Sequence, residues 1–380
     1  MANSNLTSAK RAKNDEFYTQ YHDIEKEVAA YVEYNPDVFR DKTVFLPCDD
    51  PEWSNFTKFF AQNFQAFGLK ELISTSYAAE SKKDSAYQPS LFETESEKYD
   101  AAKTNIKGKI YTLTRDKTGN GKIDVNDLEW KYMEGDGDFR SEEVRALRDK
   151  ADLIITNPPF SLFREFLAWV VEADKQFLLI GSMNAITYKE VFPLIKANKM
   201  WLGNKTSSQQ MFLEAPQEYT KSVMANKPQG MWWRIIDGRP LIGIHTALWF
   251  TNIDHGRRHQ PLPLMTLEDN LKYSKHKEIK GKESYEMYDN YDAIEVPFTD
   301  AIPDDYAGAM GVPISFLDRY SPEQFEILGI TDRDNNSGMK TKEYTEEDAP
   351  NPGDLNRRGV IKTGDEYQST YARLIIKHKA

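Results

Sequence analysis

The sequence predicts an α/β fold, a sheet with crossover helices on both faces, followed by a smaller C-terminal lobe. Two observations predict it. Between Thr43 and Gly203, short apolar runs alternate with segments of three- and four-residue apolar spacing, the pattern of a parallel sheet with crossover helices. At 380 residues the chain is long enough for a core domain and a lobe, and beyond about residue 200 the pattern changes to short strands.

In chain order, NDEFYTQYHDIEKEVAAYVEY places Phe17, Tyr21, Ile24, Val28 and Tyr31 at helical steps, which predicts a helix. TVFLPCDD (43–50) reads as a buried strand ending in acidic residues. A helix follows from about Asn55, with Phe56, Phe59, Phe60 and Phe64 on one face, and then ELISTSYA (71–78) as a second strand. Residues 79–105 lack periodicity and read as exposed, the first part of an insertion spanning about 79–135. Within it KGKIYTLTR and IDVNDLEWKYM read as two strands joined by DKTGNGK. Helix SEEVRALRDK, strand DLIITN, helix SLFREFLAWVVEA, strand QFLLIGSM, helix ITYKEVFPLIKA and strand MWLG follow. Short strands dominate afterwards, GMWWRII, HTALWFTNI and YARLIIKH among them.

Composition narrows the class. No apolar run is long enough to span a bilayer, and MANSNLTSAKRAKNDEFYTQ has no apolar stretch of a secretory signal, so a cytoplasmic protein is expected. A single cysteine, Cys48, excludes an internal disulfide and a cysteine-based zinc site. The net charge is −11, yet residues 196–282 carry 14 Lys and Arg against 7 Asp and Glu. One basic segment therefore lies between two acidic ones, as either a solvated surface or an anion-binding face.

The strand DLIITN runs into Asn157-Pro158-Pro159-Phe160. Ligands of open α/β sheets bind outside the carboxyl ends of strands. Asn157 offers an acceptor and donors on one small amide, and the prolines lock the turn and free the Asn157 and Pro158 carbonyls. Phe160 presents an aromatic face beside them. A flat heterocycle bearing an amino group suits such a corner. The plainer alternative is that Pro-Pro only ends a strand and Phe160 is core.

NPPF after an apolar strand resembles the catalytic motif of amino-group DNA methyltransferases that use S-adenosylmethionine. NDEFYTQYHDIEKEV, FLPCDDPEWSNFTKFF, TNPPFSLFREF and GVPISFLDRYSPEQFEILG, in that order, are similar to blocks of one family, the EcoRI-type adenine-specific DNA methyltransferases. The resemblance runs from about residue 14 to the C-terminus. It implies a class I, Rossmann-like methyltransferase core with a mixed sheet over 14–255 and a C-terminal DNA-recognition lobe over 256–380. It also implies methyl transfer to the exocyclic N6 amine of an adenine flipped out of double-stranded DNA. Asn157 and the Pro158 carbonyl would hold the amine, within the motif that Pro159 completes, and Phe160 would stack on the base. Phe17, Tyr18 and Thr19 would lie against the methionine end of the cofactor. Pro47, Cys48, Asp49 and Asp50 stand where this class usually has a glycine-rich loop. With no G-x-G here, the carboxylates of Asp49 or Asp50 are expected to contact the cofactor, the alternative being a helix cap before Trp53. Asp138 would accept from the cofactor's adenine amine, with Phe139 packed on its ring. The ribose contact stays open. The setting implied is restriction-modification beside a cognate endonuclease, or an orphan or phage-borne enzyme, in a bacterial or phage-infected cytoplasm.

Other signals compete. Asp116, Thr118, Asn120, Gly121, Ile123, Asp124 and Asp127 fall where a calcium loop has its ligands, turn glycine and apolar residue. The last position is Asp rather than Glu and the flanks read as strands, so a polar hairpin without metal explains the same residues. His245, His255 and His259 show no metal spacing, and HGRRH reads as phosphate-contacting or solvated. Trp232, Trp233, Trp249 and Phe250 read as core in preference to base-stacking. Lys205, Lys221, Lys227, Arg234, Arg257 and Arg258 are candidate phosphate contacts. Methylation of a cytosine amine and a non-catalytic DNA- or calcium-binding module are the alternative functions.

Overall fold

Four apolar or β-branched residues, all buried, make β1 (Thr43–Leu46) a strand covered on both faces. The computed structural model describes residues 17–48, 54–78, 99–332, 335 and 337–379. The chain divides into two compact units, Met1–Met183 with Gly203–His255, and Asn184–Leu202 with Gly256–Ala380. Among the described residues no helix is long and apolar enough to cross a membrane.

The first unit opens with α1 (Tyr21–Tyr34), whose Ile24, Val28 and Tyr31 are fully buried. Phe17, expected on this helix, lies before it in extended chain, because Tyr18 pairs with Glu214 instead. After β1 comes α2 (Asn55–Gln62), capped by the Ser54 side chain, which accepts from Phe56 N. Its Phe56, Phe59 and Phe60 join Phe64 in the core. Then follow β2 (Glu71–Ser76), β3 (Lys109–Leu113) and β4 (Glu129–Tyr132). The short helix Ala101–Ile106 lies in the stretch expected to be irregular, capped by Asp100. The second hairpin strand begins later than expected, since Asp124 and Asp127 form a capping box around the 3-10 turn Val125–Asp127.

Beyond α3 (Glu142–Lys150), β5 (Leu153–Thr156), α4 (Phe163–Glu172) and β6 (Gln176–Ser182) complete the expected βαβ unit. Gly181 leaves room for the Phe163 ring on the sheet, where a Cβ would stand 2.4 Å from it. Further on, β7 (Met211–Leu213), α5 (Gln217–Asn226), β8 (Trp233–Ile236), β9 (Arg239–Ile244) and β10 (Ala247–Thr251) follow. Within this unit the large sheet runs β4-β3-β2-β1-β5-β6-β10. β1, β2, β5 and β6 are parallel, while β3, β4 and β10 run antiparallel to their neighbours, so the sheet is mixed. β7, β9 and β8 form a separate antiparallel sheet with β9 in the middle.

The second unit holds α6 (Leu267–Tyr273) and a four-stranded sheet of β11 (Ile294–Glu295), β12 (Met310–Pro313), β13 (Phe325–Ile330) and β16 (Arg373–His378), with β16 between β12 and β13. β14 (Val360–Thr363) and β15 (Glu366–Ser369) pair as a hairpin. The single helix expected over ITYKEVFPLIKA is broken into a 3-10 turn at Met183–Thr187 and a short helix at Phe192–Lys196. Pro193 can open a helix but not lie inside one.

Candidate active site

From β1 the chain steps to β2 on one side and returns to β5 on the other. The reversal opens a crevice at the carboxyl ends of β1 and β5. Pro47 and Cys48 emerge from β1 there, and Asn157 to Phe160 from β5. Thr156 Oγ1 donates to the Pro47 carbonyl at 2.5 Å, tying the two ends together. At the other end of these strands Asp152 accepts from Thr43 N at 2.8 Å. Cys48 adopts the left-handed φ of 59° usual for glycine, which costs a residue bearing a Cβ about 1 kcal/mol. The turn is made without the glycine.

Asn157 is half-buried, and its amide is oriented by its partners. Nδ2 donates to the Phe17 carbonyl at 2.6 Å and to Thr19 Oγ1 at 3.3 Å. Two acceptors on the nitrogen side turn Oδ1 the other way, and among the described residues no donor meets it. The Pro158 carbonyl likewise has no donor among the described residues, whereas that of Pro159 accepts from Leu162 N at 2.9 Å in the following turn. The Phe160 ring is half-exposed and lies 5.7 Å from that of Phe17, which meets Tyr219 edge-on at 5.8 Å.

The framework behind this corner is main-chain. Tyr18 and Glu214 exchange both backbone bonds, at 2.8 and 3.0 Å, and Asn55 Nδ2 donates to the Thr19 carbonyl at 2.8 Å. Phe17, Thr19, Asn157 and Phe160 are thus brought into direct contact, with Tyr18 in the same segment and Pro47 one hydrogen bond away from Thr156. Asp49 and Asp50 lie outside the described residues. The cap of α2 is Ser54, so that helix needs no carboxylate there.

Asp138 and Phe139 stand on a loop whose Gly137 approaches the end of β2 so closely that a Cβ would sit 2.2 Å from the Ser76 carbonyl. Arg140 binds both Asp138 oxygens, at 2.8 and 2.5 Å, and its guanidinium holds that carboxyl below the usual range. Arg140 also reaches Glu165 of α4 at 3.3 Å, joining this loop to the helix that follows NPPF. Phe139 is buried between Phe166 and Trp169, with ring distances of 5.2 and 5.6 Å. Its packing partners are core aromatics.

Several candidate phosphate contacts have other work. Lys205 Nζ donates to the Ala247 carbonyl at 2.8 Å, and Arg258 is buried against Trp201 at 3.7 Å. HGRRH is not a solvated run, since His255 is buried against Tyr31 and His259 meets Glu323 at 2.8 Å. Trp249 and Phe250 are core, but Trp232 and Trp233 are not, for both stay half-exposed.

Sequence reasoning missed Tyr219, Glu214 and Asn55. It also missed Glu27, a buried carboxylate whose acidity burial weakens, accepting from Asn204 N at 2.6 Å and Lys205 N at 2.9 Å. An acidic residue at a core position of α1, in register with Ile24 and Tyr31, was the signal for Glu27. Glu214 acts through its backbone, Tyr219 through a ring edge and Asn55 through an amide bond to a backbone carbonyl, and none leaves a pattern in the sequence.

The family described as Adenine-specific methyltransferase EcoRI matches residues 5–379. The chain is 41% identical over 338 residues to the Type II methyltransferase M.EcoRI of Escherichia coli, covering 87% of this chain and 92% of that one. To the Type II methyltransferase M.MpnI of Mycoplasma pneumoniae it is 33% identical over 320 residues, 84% of this chain and 83% of the other. No solved structure matches it. With nearly its whole length matched, and with Asn-Pro-Pro-Phe at the strand end where a ligand crevice opens, the chain belongs to the EcoRI family of adenine-specific methyltransferases.

Proposed function

We propose that this chain, an adenine-specific DNA methyltransferase by family, transfers methyl from S-adenosylmethionine to the N6 amine of an adenine flipped from duplex DNA. One observation carries the site assignment. The Asn157 amide is fixed through its nitrogen by Phe17 and Thr19, and among the described residues neither its oxygen nor the neighbouring Pro158 carbonyl meets a donor. Two outward acceptors on a rigid turn suit an amine with two hydrogens.

S-adenosylmethionine supplies a methyl group already activated on a sulfonium. The residues here fit such a cofactor by their chemistry. Pro47 and Cys48 turn at the switch point, and Asp138 keeps a lone pair on Oδ2, since Arg140 N and Nε both donate to Oδ1 and Nη2 donates to Oδ2. Asp49 and Asp50 follow directly in the sequence and add carboxylates in place of a glycine loop.

In this mechanism Asn157 Oδ1 and the Pro158 carbonyl accept the two amine hydrogens and so fix the direction of the nitrogen lone pair. Phe160 holds the base plane, since stacking on an aromatic face costs no sequence information. Positioning supplies most of the rate, and no strong base is needed before transfer because the amine sheds its proton afterwards. The adenine must leave the helix, as an atom inside the stack is out of reach. The second unit contributes target recognition, and the enzyme, bacterial or phage-encoded, works in the cytoplasm. The relatives' Type II names suit a restriction-modification setting with a cognate endonuclease.

The test is to sequence modified bases in a methylation-free host expressing the chain. N6-methyladenine at one recurring sequence is expected, and none with Asn157→Ala. Methylated cytosine amines, or an unmodified genome, would overturn the proposal.

A further inference from the structure

β8 is an edge strand, paired among the described strands with β9 alone, and its outer end is apolar and exposed. Ile235 is 50% exposed and Ile236 38%, with Met231 just before the strand at 59%. An edge strand with two neighbouring exposed isoleucines is a liability that proteins normally blunt or cover. The hairpin is also tightly closed. Its turn is Asp237-Gly238, with φ of 51° and 76°, both in the left-handed region that a two-residue type I′ turn needs. Leu241 and Ile242 of β9 are buried, and Ile242 pairs with the buried Leu213 of β7. Arg239 pairs with Ile236, and Leu241 with Arg234.

The hairpin is tied to the active-site corner by the same framework that orients Asn157. β7 runs into Glu214, which exchanges backbone bonds with Tyr18, and Arg239 reaches the Glu214 carboxylate at 3.2 Å. Tyr219 of α5, the helix leading toward the hairpin, touches Phe17, and Phe17 touches Phe160. Its charge selects the partner. From Lys227 to Ile244, Lys227, Arg234 and Arg239 face one acidic residue, Asp237, in a chain whose net charge is −11. A cationic ribbon with an apolar tip suits a polyanion whose interior is apolar, which is duplex nucleic acid.

We propose that the hairpin Trp233–Ile244 enters the duplex beside the target adenine. Ile235 and Ile236 pack on the base pairs exposed when the adenine leaves, and Arg234 and Arg239 meet the flanking phosphates. A two-stranded ribbon fits the major groove, and branched apolar side chains are used elsewhere to wedge base steps apart. The proposal rests on the adenine-methylation reading above and adds to it the element that holds the helix open.

The experiment uses the full chain and a duplex carrying the sequence found modified in the host, with 2-aminopurine at the target adenine. Ile235→Ser with Ile236→Ser alters exposed side chains only, and circular dichroism checks the fold. Expected is a fall of at least about tenfold in methyl transfer on the intact duplex and a weaker 2-aminopurine signal. DNA affinity should change little, and activity should recover on a duplex with an abasic site opposite the target, where flipping is already favoured. Arg234→Ala with Arg239→Ala should instead weaken binding and lower the salt dependence of affinity by about one counterion per residue.

Wild-type transfer and fluorescence from the isoleucine double variant would overturn the hairpin proposal while leaving the reading of the site intact. Wild-type protein that methylates no adenine would overturn both. If the apolar tip is instead a dimer contact, wild-type sediments as a dimer and the isoleucine variant as a fully active monomer. That result also overturns the proposal.

Discussion

Two polar loops at strand ends, 116–127 and Asn157–Phe160, spend their oxygens differently. In the first, Asp116 accepts from Gly119 N and Gly121 N at 2.6 and 2.7 Å, and Asp127 from Lys117 N, Thr118 N and Asp124 N at 2.9 to 3.0 Å. Asp124 accepts from Asn126 N at 2.9 Å. The carboxylates build the loop's own turns, between two antiparallel strands, and among the described residues no cluster of three metal-ligating side chains forms. In the second loop the Asn157 side chain spends only its amide nitrogen on the fold, and among the described residues no donor meets its oxygen. A polar group serves a ligand when the fold orients it without consuming it.

That comparison can be broken most sharply at Asn157. Asn157→Ala removes the outward acceptor, so methyl transfer should fall by at least about a hundredfold, with the melting temperature near wild type. Turnover close to wild type would sink the assignment. Asp49→Ala with Asp50→Ala comes next. Where no glycine loop exists the carboxylates should carry cofactor affinity, so S-adenosylmethionine binding by calorimetry should weaken about tenfold or more, with DNA binding retained. Unchanged affinity would leave the pair without that role. Phe160→Ala should be milder, about tenfold in transfer, seen in DNA affinity and base flipping more than in cofactor affinity. A larger loss of cofactor binding than of DNA binding would place the ring on the wrong ligand.

How far the sequence reached follows from the range of each interaction. NPPF was legible because its chemistry is local, with two prolines and an aromatic directly after a buried strand. The core face of α1 was legible because Ile24, Val28 and Tyr31 repeat at helical steps. What orients Asn157 was not, since its partners lie 140 and 138 residues away and one of them is a backbone carbonyl. The resemblance alone drew Phe17 to Thr19 toward the site, and periodicity had misassigned Phe17 to α1. α5 was missed because Thr220 is its one buried residue, which leaves no apolar stripe to read. The half-exposed Trp232 and Trp233 were misread as core for a related reason. Large aromatics predict burial on average, and a hairpin edge is a tertiary fact.

The smallest effect is expected at the 116–127 loop, where calcium and acid test the same oxygens. A bound ion would add its binding energy to stability by mass action. With Asp116 and Asp127 already engaged by backbone N–H groups, millimolar calcium against chelator should leave the melting temperature and the methylation rate unchanged. A clear rise, lost in Asp116→Ala with Asp124→Ala, would show that the loop opens to take an ion. Acid should act where calcium does not. The backbone N–H of Thr118, followed by those of Asp124 and Lys117, holds the Asp127 carboxyl down at about 2, against 3.8 for an unperturbed group. A carboxyl depressed in the folded state stabilises above its unfolded value and loses that contribution as pH falls through the folded one. The melting temperature of wild type should therefore fall more steeply between about pH 4 and pH 2 than that of Asp127→Asn, which has no charge to lose. Parallel pH profiles would mean that Asp127 is not the group that holds this turn.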